Sequence, residues 1–369
     1  MAKKSDGLPL ELIIEILLRL PVKTLLRCKC VCKSWLSLIS DPKFATSHFQ
    51  LAASPTTHGL VFLKTYSPND PKALIVDFDA SLTDDSSYAP LTHHFRPPRI
   101  CPGTEIRGSC RGFIFLHTYS DFYLWNPSTG VHKKIPASKL RLYNHLYGFA
   151  YDHSTDDYLI VLLSCKAAPY TNLEIFSLRA NKWKQIEVDS HFTYLSTTTY
   201  DDVGLFLNDA IHWVVFNFEI REVIIAFDIK ERKMSEIALP YDDGASNDDG
   251  PDNYGLSVLG GLICASIVEK RTVKIYVMQN YAVHSSWTKI LEFSVDPVML
   301  HSLSIKFITK SGDMIGTDGR GRLMKFNDKG QLLEHHSCGK GIDTERFIRS
   351  QMVVYTDSLL SLPCGAEEA

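Results

Sequence analysis

No apolar run in this 369-residue chain reaches the roughly 18–20 residues that cross a bilayer as a helix, so no membrane partner is expected. Asp6 and Glu11 interrupt any signal-peptide pattern near the N-terminus, and no small-residue cleavage site follows. The nine cysteines are odd in number and lack framework spacing, which predicts reduced thiols and a cytosolic or nuclear location. Cys28, Cys30 and Cys32 form a C-x-C-x-C. On a helix those thiols would point about 200° apart at each step, so they are not expected to converge on a metal. Also missing are G-x-S-x-G, H-E-x-x-H, a P-loop and the dinucleotide G-x-G-x-x-G. No catalytic residue, metal or cofactor is therefore expected.

Weaker chemical candidates remain, each with a plainer reading beside it. Gly316, Gly319 and Gly321 imitate a phosphate loop but sit between strands, with no helix to present its N-terminus, and read as turns. The pairs Asp156-Asp157 and Asp201-Asp202 could do acid–base work, yet at strand ends they read as solvated loops. Residues 242–252 (DDGASNDDGPD) lack the closing Glu and flanking helices of a calcium loop and read as a flexible connection. His93-His94 and His335-His336 with Cys338 lack a fourth convergent ligand. His212-Trp213 reads as core packing.

Composition is that of a folded protein, with 45% hydrophobic and 22% charged residues. The length suits a small module plus a large domain. Residues 1–50 carry eight basic and four acidic side chains on a chain of net charge −3, which leaves −7 for the rest. The basic residues are scattered rather than clustered, so an acidic protein surface fits better than nucleic acid, and no nucleic-acid partner is expected.

The N-terminal stretch has the only strong helical pattern. Pro9 suits a helix start, and Glu11 suits the positive end of its dipole. Leu12, Ile13, Ile16, Leu17 and Leu20 line one face, while Leu10, Ile14 and Leu18 form a second apolar row. A helix this apolar all round must be buried on more than one side. Leu20-Pro21 should end it. A second helical run from Pro21 carries Val22, Leu25, Leu26, Val31, Trp35, Leu36 and Ile39. Asp41-Pro42 should break that run and start a third short helix around Phe44.

From Arg107 onward, apolar strands recur every ~8–12 residues with polar turns between, which predicts an all-β domain. About twenty strands with a weak period of roughly 40–50 residues indicate propeller blades, six or seven after division by four. Aromatic partners are expected across strands, Phe176 with Trp183 and Tyr276 with Trp287. The proline-rich 84–102 segment and the 242–252 loop are the expected exposed rim.

Residues 8–35, with Leu8-Pro9, Leu20-Pro21 and Val31-Cys32-Lys33-Ser34-Trp35 in order, resemble an F-box of the plant type. Ser109-Cys110-Arg111-Gly112, the Asn126–Gly130 turn, Gly148-Phe149-Ala150-Tyr151-Asp152, Leu207–Trp213 and Val273–Met278 with Ser286–Ile290 resemble the F-box-associated type 1 interaction domain, a relative of kelch-like propellers. Only Gly260-Gly261 matches the double glycine of a kelch blade. The resemblance implies an α+β multidomain chain: an F-box at 1–50 and an F-box-associated β-propeller-like domain at 51–369. It implies docking to a Skp-family adaptor, and through it to a cullin, while the β-domain recruits an unidentified protein target for ubiquitination. By position in the motif, Leu8, Pro9, Ile14, Leu17, Leu20, Pro21, Leu25, Cys32 and Trp35 would make or support the adaptor contact. A non-ligase interaction scaffold built from the same two domains is the alternative, and a propeller enzyme a third reading.

Overall fold

The computed structural model describes residues 8–51, 57–64, 72–77, 82, 88–90, 104–118, 121–138, 145–165, 171–187, 202–216, 222–240, 253–269, 271–295, 303–309, 311–317, 322–337 and 349–363.

Four helices come first. Pro9 is the N-cap of α1 (Leu10–Leu17) and Pro21 that of α2 (Val22–Cys28). A proline nitrogen has no hydrogen, so either one costs a helix start no hydrogen bond. α1 ends earlier than expected, at a Leu18 C-cap, and the chain turns through Leu20 N to Leu17 O at 3.1 Å. The second run is two helices, α2 and α3 (Lys33–Ile39). Lys29 to Cys32 are poor helix formers apart from the lysine, and Cys32 is extended at φ −159°. The three thiols therefore do not share one helix: only Cys28 is helical, and Cys30 and Cys32 are exposed between helices. α4 (Pro42–Leu51) starts where Asp41 Oδ1 accepts the Lys43 amide at 2.7 Å. His48 Nε2 donates to the Leu20 carbonyl at 2.9 Å, tying α4 to the turn before α2.

The strands form four-stranded antiparallel sheets. Blade 2 is β4–β7 (Glu105–Cys110, Phe113–Thr118, Asp121–Trp125, His132–Ile135). Blade 3 is β8–β11 (His145–Asp152, Asp157–Cys165, Thr171–Ser177, Lys182–Ile186). Blade 4 is β12–β15 (Leu205–Leu207, Ala210–Phe216, Glu222–Asp228, Lys233–Ala238). Blade 5 is β16–β19 (Asn253–Leu259, Leu262–Glu269, Thr272–Met278, Trp287–Ser294). Blade 6 is β20–β23 (Ser304–Ile308, Met314–Thr317, Arg322–Phe326, Leu332–Ser337). The expected six or seven blades thus resolve into five sheets of consecutive strands and one composite sheet, blade 1, with no seventh among the described residues. Blade 1 pairs β24 (Arg349–Thr356) with β1 (Thr57–Lys64), β2 (Lys72–Asp77) and β3 (Tyr88–Pro90).

The first strands of neighbouring blades touch in a closed ring, β24 to β4, β8, β12, β16, β20 and back to β24. Burial follows this order: β8 is buried along its length, whereas the fourth strand β11 has only exposed and half-buried residues. Apolar clusters fill the gaps between blades. Trp213 and Phe227 pack with Leu146 and Val161 between blades 3 and 4, and Phe326 packs with Ile275 between blades 5 and 6. Pairing β24 with β1 joins the last strand of the propeller to its first, so the ring closes by hydrogen bonds from Thr57↔Thr356 to Lys64↔Arg349.

Phe176 does oppose Trp183, with ring centroids 5.2 Å apart. Trp287, however, opposes Met278, and Tyr276 opposes Lys289, after a bulge between Ile275 and Tyr276 shifts the register. Asp157 is not a solvated turn residue. It is buried and accepts the Ser177 hydroxyl and the Arg179 amide, holding the next turn of the blade. Gly316 lies inside β21, while Gly319, Gly321, Asp201, Cys338 and His93-His94 fall outside the described residues.

Candidate adaptor-binding surface

The four helices divide the N-terminal apolar residues into two sets. Leu17, Val22, Leu25, Ile39, Phe44 and Ala45 are buried together. Leu8, Leu10, Leu12, Ile16, Val31 and Leu36 face solvent, with 48–64% of their surface exposed. Large apolar side chains in that number on one small module leave a surface that water does not favour. Between α1, α3 and α4 a groove of about 210 Å³ is lined by Ile14, Leu18, Leu38 and Phe44, with Asp41, Lys43 and Ser47 at its polar side.

The nine residues assigned to adaptor contact fall on both sides of this division. Leu8, Pro9, Pro21 and Cys32 are exposed, and Ile14, Leu20 and Trp35 are half-buried. Leu17 and Leu25 are 1% and 0% exposed, which leaves them only a supporting role in the bundle. Missed by the motif-based assignment were Leu10, Leu12, Ile16, Val31 and Leu36. The signal for Leu10, Leu12 and Ile16 was present: a short helix apolar all round cannot bury every row in one small bundle. Cys32 carries a thiol whose pKa is lowered, first by its hydrogen bond with Ser34 and then by the Trp35 amide.

On the propeller, Asp202 is an ion-pair partner rather than a solvated acid. Arg107 bridges Asp202 and Glu105, and its guanidinium lies 4.1 Å above the Tyr147 ring. One guanidinium thus ties a carboxylate of β4 itself to one just before β12, a structural bridge between blades 2 and 4. Burial pushes the Tyr147 phenol up to about 12. His335 and His336 lie on β23, and no group of three metal-binding side chains occurs among the described residues.

The helices and the described flanks of the rim candidates lie toward different faces. α4 leads to β1, whose start pairs with the end of β24, on the face that carries the first-to-second strand turns such as Arg111-Gly112. Segment 242–252 and the part of 84–102 after Pro90 connect a fourth strand to the next first strand, and their described flanks, Pro90 with Thr104 and Pro240 with Asn253, lie toward the opposite face. Apart from the short strand β3, both segments fall outside the described residues. β3 places a short strand, Tyr88–Pro90, inside the proline-rich 84–102 segment.

Comparison with known proteins agrees with this division. Residues 6–47 match the F-box domain, and residues 78–361 match the F-box associated beta propeller domain. An F-box/kelch-repeat protein of Arabidopsis thaliana is 28% identical over 77% of this chain and 79% of its own length. F-box protein CPR1 of the same plant is 28% identical over 77% and 72%. A third Arabidopsis thaliana F-box protein is 26% identical over 92% of this chain and 93% of its own length. Since the propeller match alone spans well over half of the residues, this chain belongs to the F-box proteins that carry an F-box associated β-propeller domain.

Proposed function

We propose that the protein is the substrate-recognition subunit of a cullin–RING ubiquitin ligase, acting in the cytosol or nucleus. The F-box would seat a Skp-family adaptor on the exposed apolar side chains of α1, Leu10, Leu12 and Ile16, and the propeller would hold a protein target. No catalytic side chain is required of this chain. Holding target lysines near a ubiquitin-charged conjugating enzyme raises their effective concentration, and that is the whole of its chemistry. The observation that carries this reading is the pairing of a buried apolar set with an exposed one inside a matched F-box: Leu17 and Leu25 are sealed, while Leu12 and Ile16 lie open on the same short module.

A binding titration of the full chain against a Skp-family adaptor tests it, with a Leu20→Ala, Pro21→Ala double variant alongside. Saturable binding that the double variant weakens, with the β-type circular dichroism signal unchanged, is the expected outcome. An intact F-box module that binds no adaptor would mean that the helices serve another partner, as in a non-ligase scaffold.

A further inference from the structure

The helical module and the propeller share one core. Leu17, Leu25 and Phe44 belong to the same buried cluster as Phe113, Phe115 and Phe122 of blade 2 and Phe149 and Ile160 of blade 3. At its edge sits Arg111, in the β4–β5 turn with a left-handed backbone at φ 48°. Its guanidinium lies 3.9 Å from the ring centroid of Tyr151 on β8 and 5.0 Å from that of Phe49 on α4. One planar cation therefore touches a ring of the helical module and a ring of blade 3, while its backbone belongs to blade 2. The Tyr151 hydroxyl is itself held by Asp156, whose carboxylate also pairs with Arg179 at 2.7 Å.

We propose that Arg111 is a positioning residue that clamps the helical module to the propeller and so fixes the separation between the adaptor surface and the opposite face of the ring. A guanidinium is suited to this task because both of its faces can stack on rings, which an ammonium cannot reproduce. The C-terminal segment after β24 reinforces the clamp. Its Leu359 and Leu360 enter the shared cluster, and Ser358 fills the space where a Cβ on Gly112 would stand. The consequence for ubiquitin transfer rests on the receptor reading above: a rigid receptor presents a target lysine at one distance instead of averaging over many.

Hydrogen exchange and solution scattering on the full chain test the clamp without any adaptor. Phe49→Ala removes the ring from the helical side and leaves every propeller residue in place, so it reports even if Arg111→Ala folds poorly. Amides of α4 should exchange about five- to thirtyfold faster in Phe49→Ala and in Arg111→Ala, the ratio that a contact of this class supports. The double variant should exchange more slowly than the product of the two single effects requires, because both remove the same Arg111–Phe49 contact. The largest molecular dimension should grow, while Phe113–Leu116 stays protected. Arg111→Lys, which keeps the charge without the plane, should restore only part of the protection. Wild-type α4 exchange and dimension in Phe49→Ala would overturn the proposal. A chain that keeps the clamp but binds no adaptor would sink the receptor reading alone.

Discussion

Asn126 reaches across 232 residues of sequence to Ser358: its Nδ2 donates to the Ser358 carbonyl at 3.0 Å and to the Leu360 carbonyl at 3.3 Å. Its Oδ1 accepts the Ser128 and Thr129 amides of its own turn. One fully buried amide thus shapes the turn between β6 and β7 and holds the segment after β24 against blade 2. Asn126→Ala should strand several buried backbone groups at once and cost about 2–3 kcal/mol. Urea unfolding should show a lower midpoint with an unchanged slope. An unchanged midpoint would mean that water replaces the amide at no cost.

The division of the helical module separates stability from binding. Leu25→Ala opens a cavity in a fully buried site and should cost the module about 2–5 kcal/mol. Ile16→Asp changes a side chain that is 51% exposed, so stability should stay within about 0.5 kcal/mol while adaptor binding is lost. Thermal unfolding and adaptor titration of the two variants check this. Strong binding by Ile16→Asp would move the contact off this face of α1.

His212 gives a pH dependence of known sign. Its Nδ1 lies 3.1 Å from the Leu205 carbonyl, which can only accept, so Nδ1 carries the proton and Nε2 accepts from the Tyr281 hydroxyl at 2.8 Å. Burial lowers its pKa from 6.5 to about 4, so the folded protein keeps it neutral. The unfolded chain takes up a proton first. Stability from this group is therefore complete above about pH 6.5 and is lost as pH falls toward 4. Between pH 7.5 and 5 the loss should be about 2 kcal/mol. The pH slope of the urea midpoint should flatten in His212→Asn, and an equal slope in both proteins would refute the assignment.

Two glycines should respond differently to alanine. At Gly204 a Cβ would stand 2.6 Å from Trp213 Nε1 and closer still to Ile211. Trp213 cannot move aside freely, because that nitrogen donates to the Tyr147 carbonyl at 2.9 Å. Gly204→Ala should cost about 3 kcal/mol by overpacking. Gly260 has open space but a φ of +57°, so Gly260→Ala should cost only about 1 kcal/mol of backbone strain. Equal costs in a calorimetric comparison would show that blade 4 yields more easily than its packing suggests.

Strands with an apolar core face were legible in the sequence: LVFLK and DYLIVLLS lie within β1 and β9, and EVIIAFD is β14. Those missed are polar or interrupted. β7 reads HKKI, β4 carries Arg107 and Gly108, and β3 ends in Pro90. Such strands gain their place from the neighbour they pair with, so local propensity does not reveal them. The same holds for Asp157 and Asp202, whose partners Ser177 and Arg107 are 20 and 95 residues away.

By itself the sequence determined the class of the molecule: apolar helical rows punctuated by Pro9 and Pro21, then short strands set off by turns such as Asn208-Asp209, whose φ values of 53° and 57° suit a tight hairpin. Those are local effects of backbone sterics and side-chain period. Only the tertiary structure decided which apolar side chains of α1 are sealed and which are open, because that depends on what packs beside them. It also decided that β24 closes the ring on β1 and that Arg111 meets Phe49. Each of these joins groups far apart in the chain, where contact is set by the geometry of the closed ring and leaves no local pattern to read.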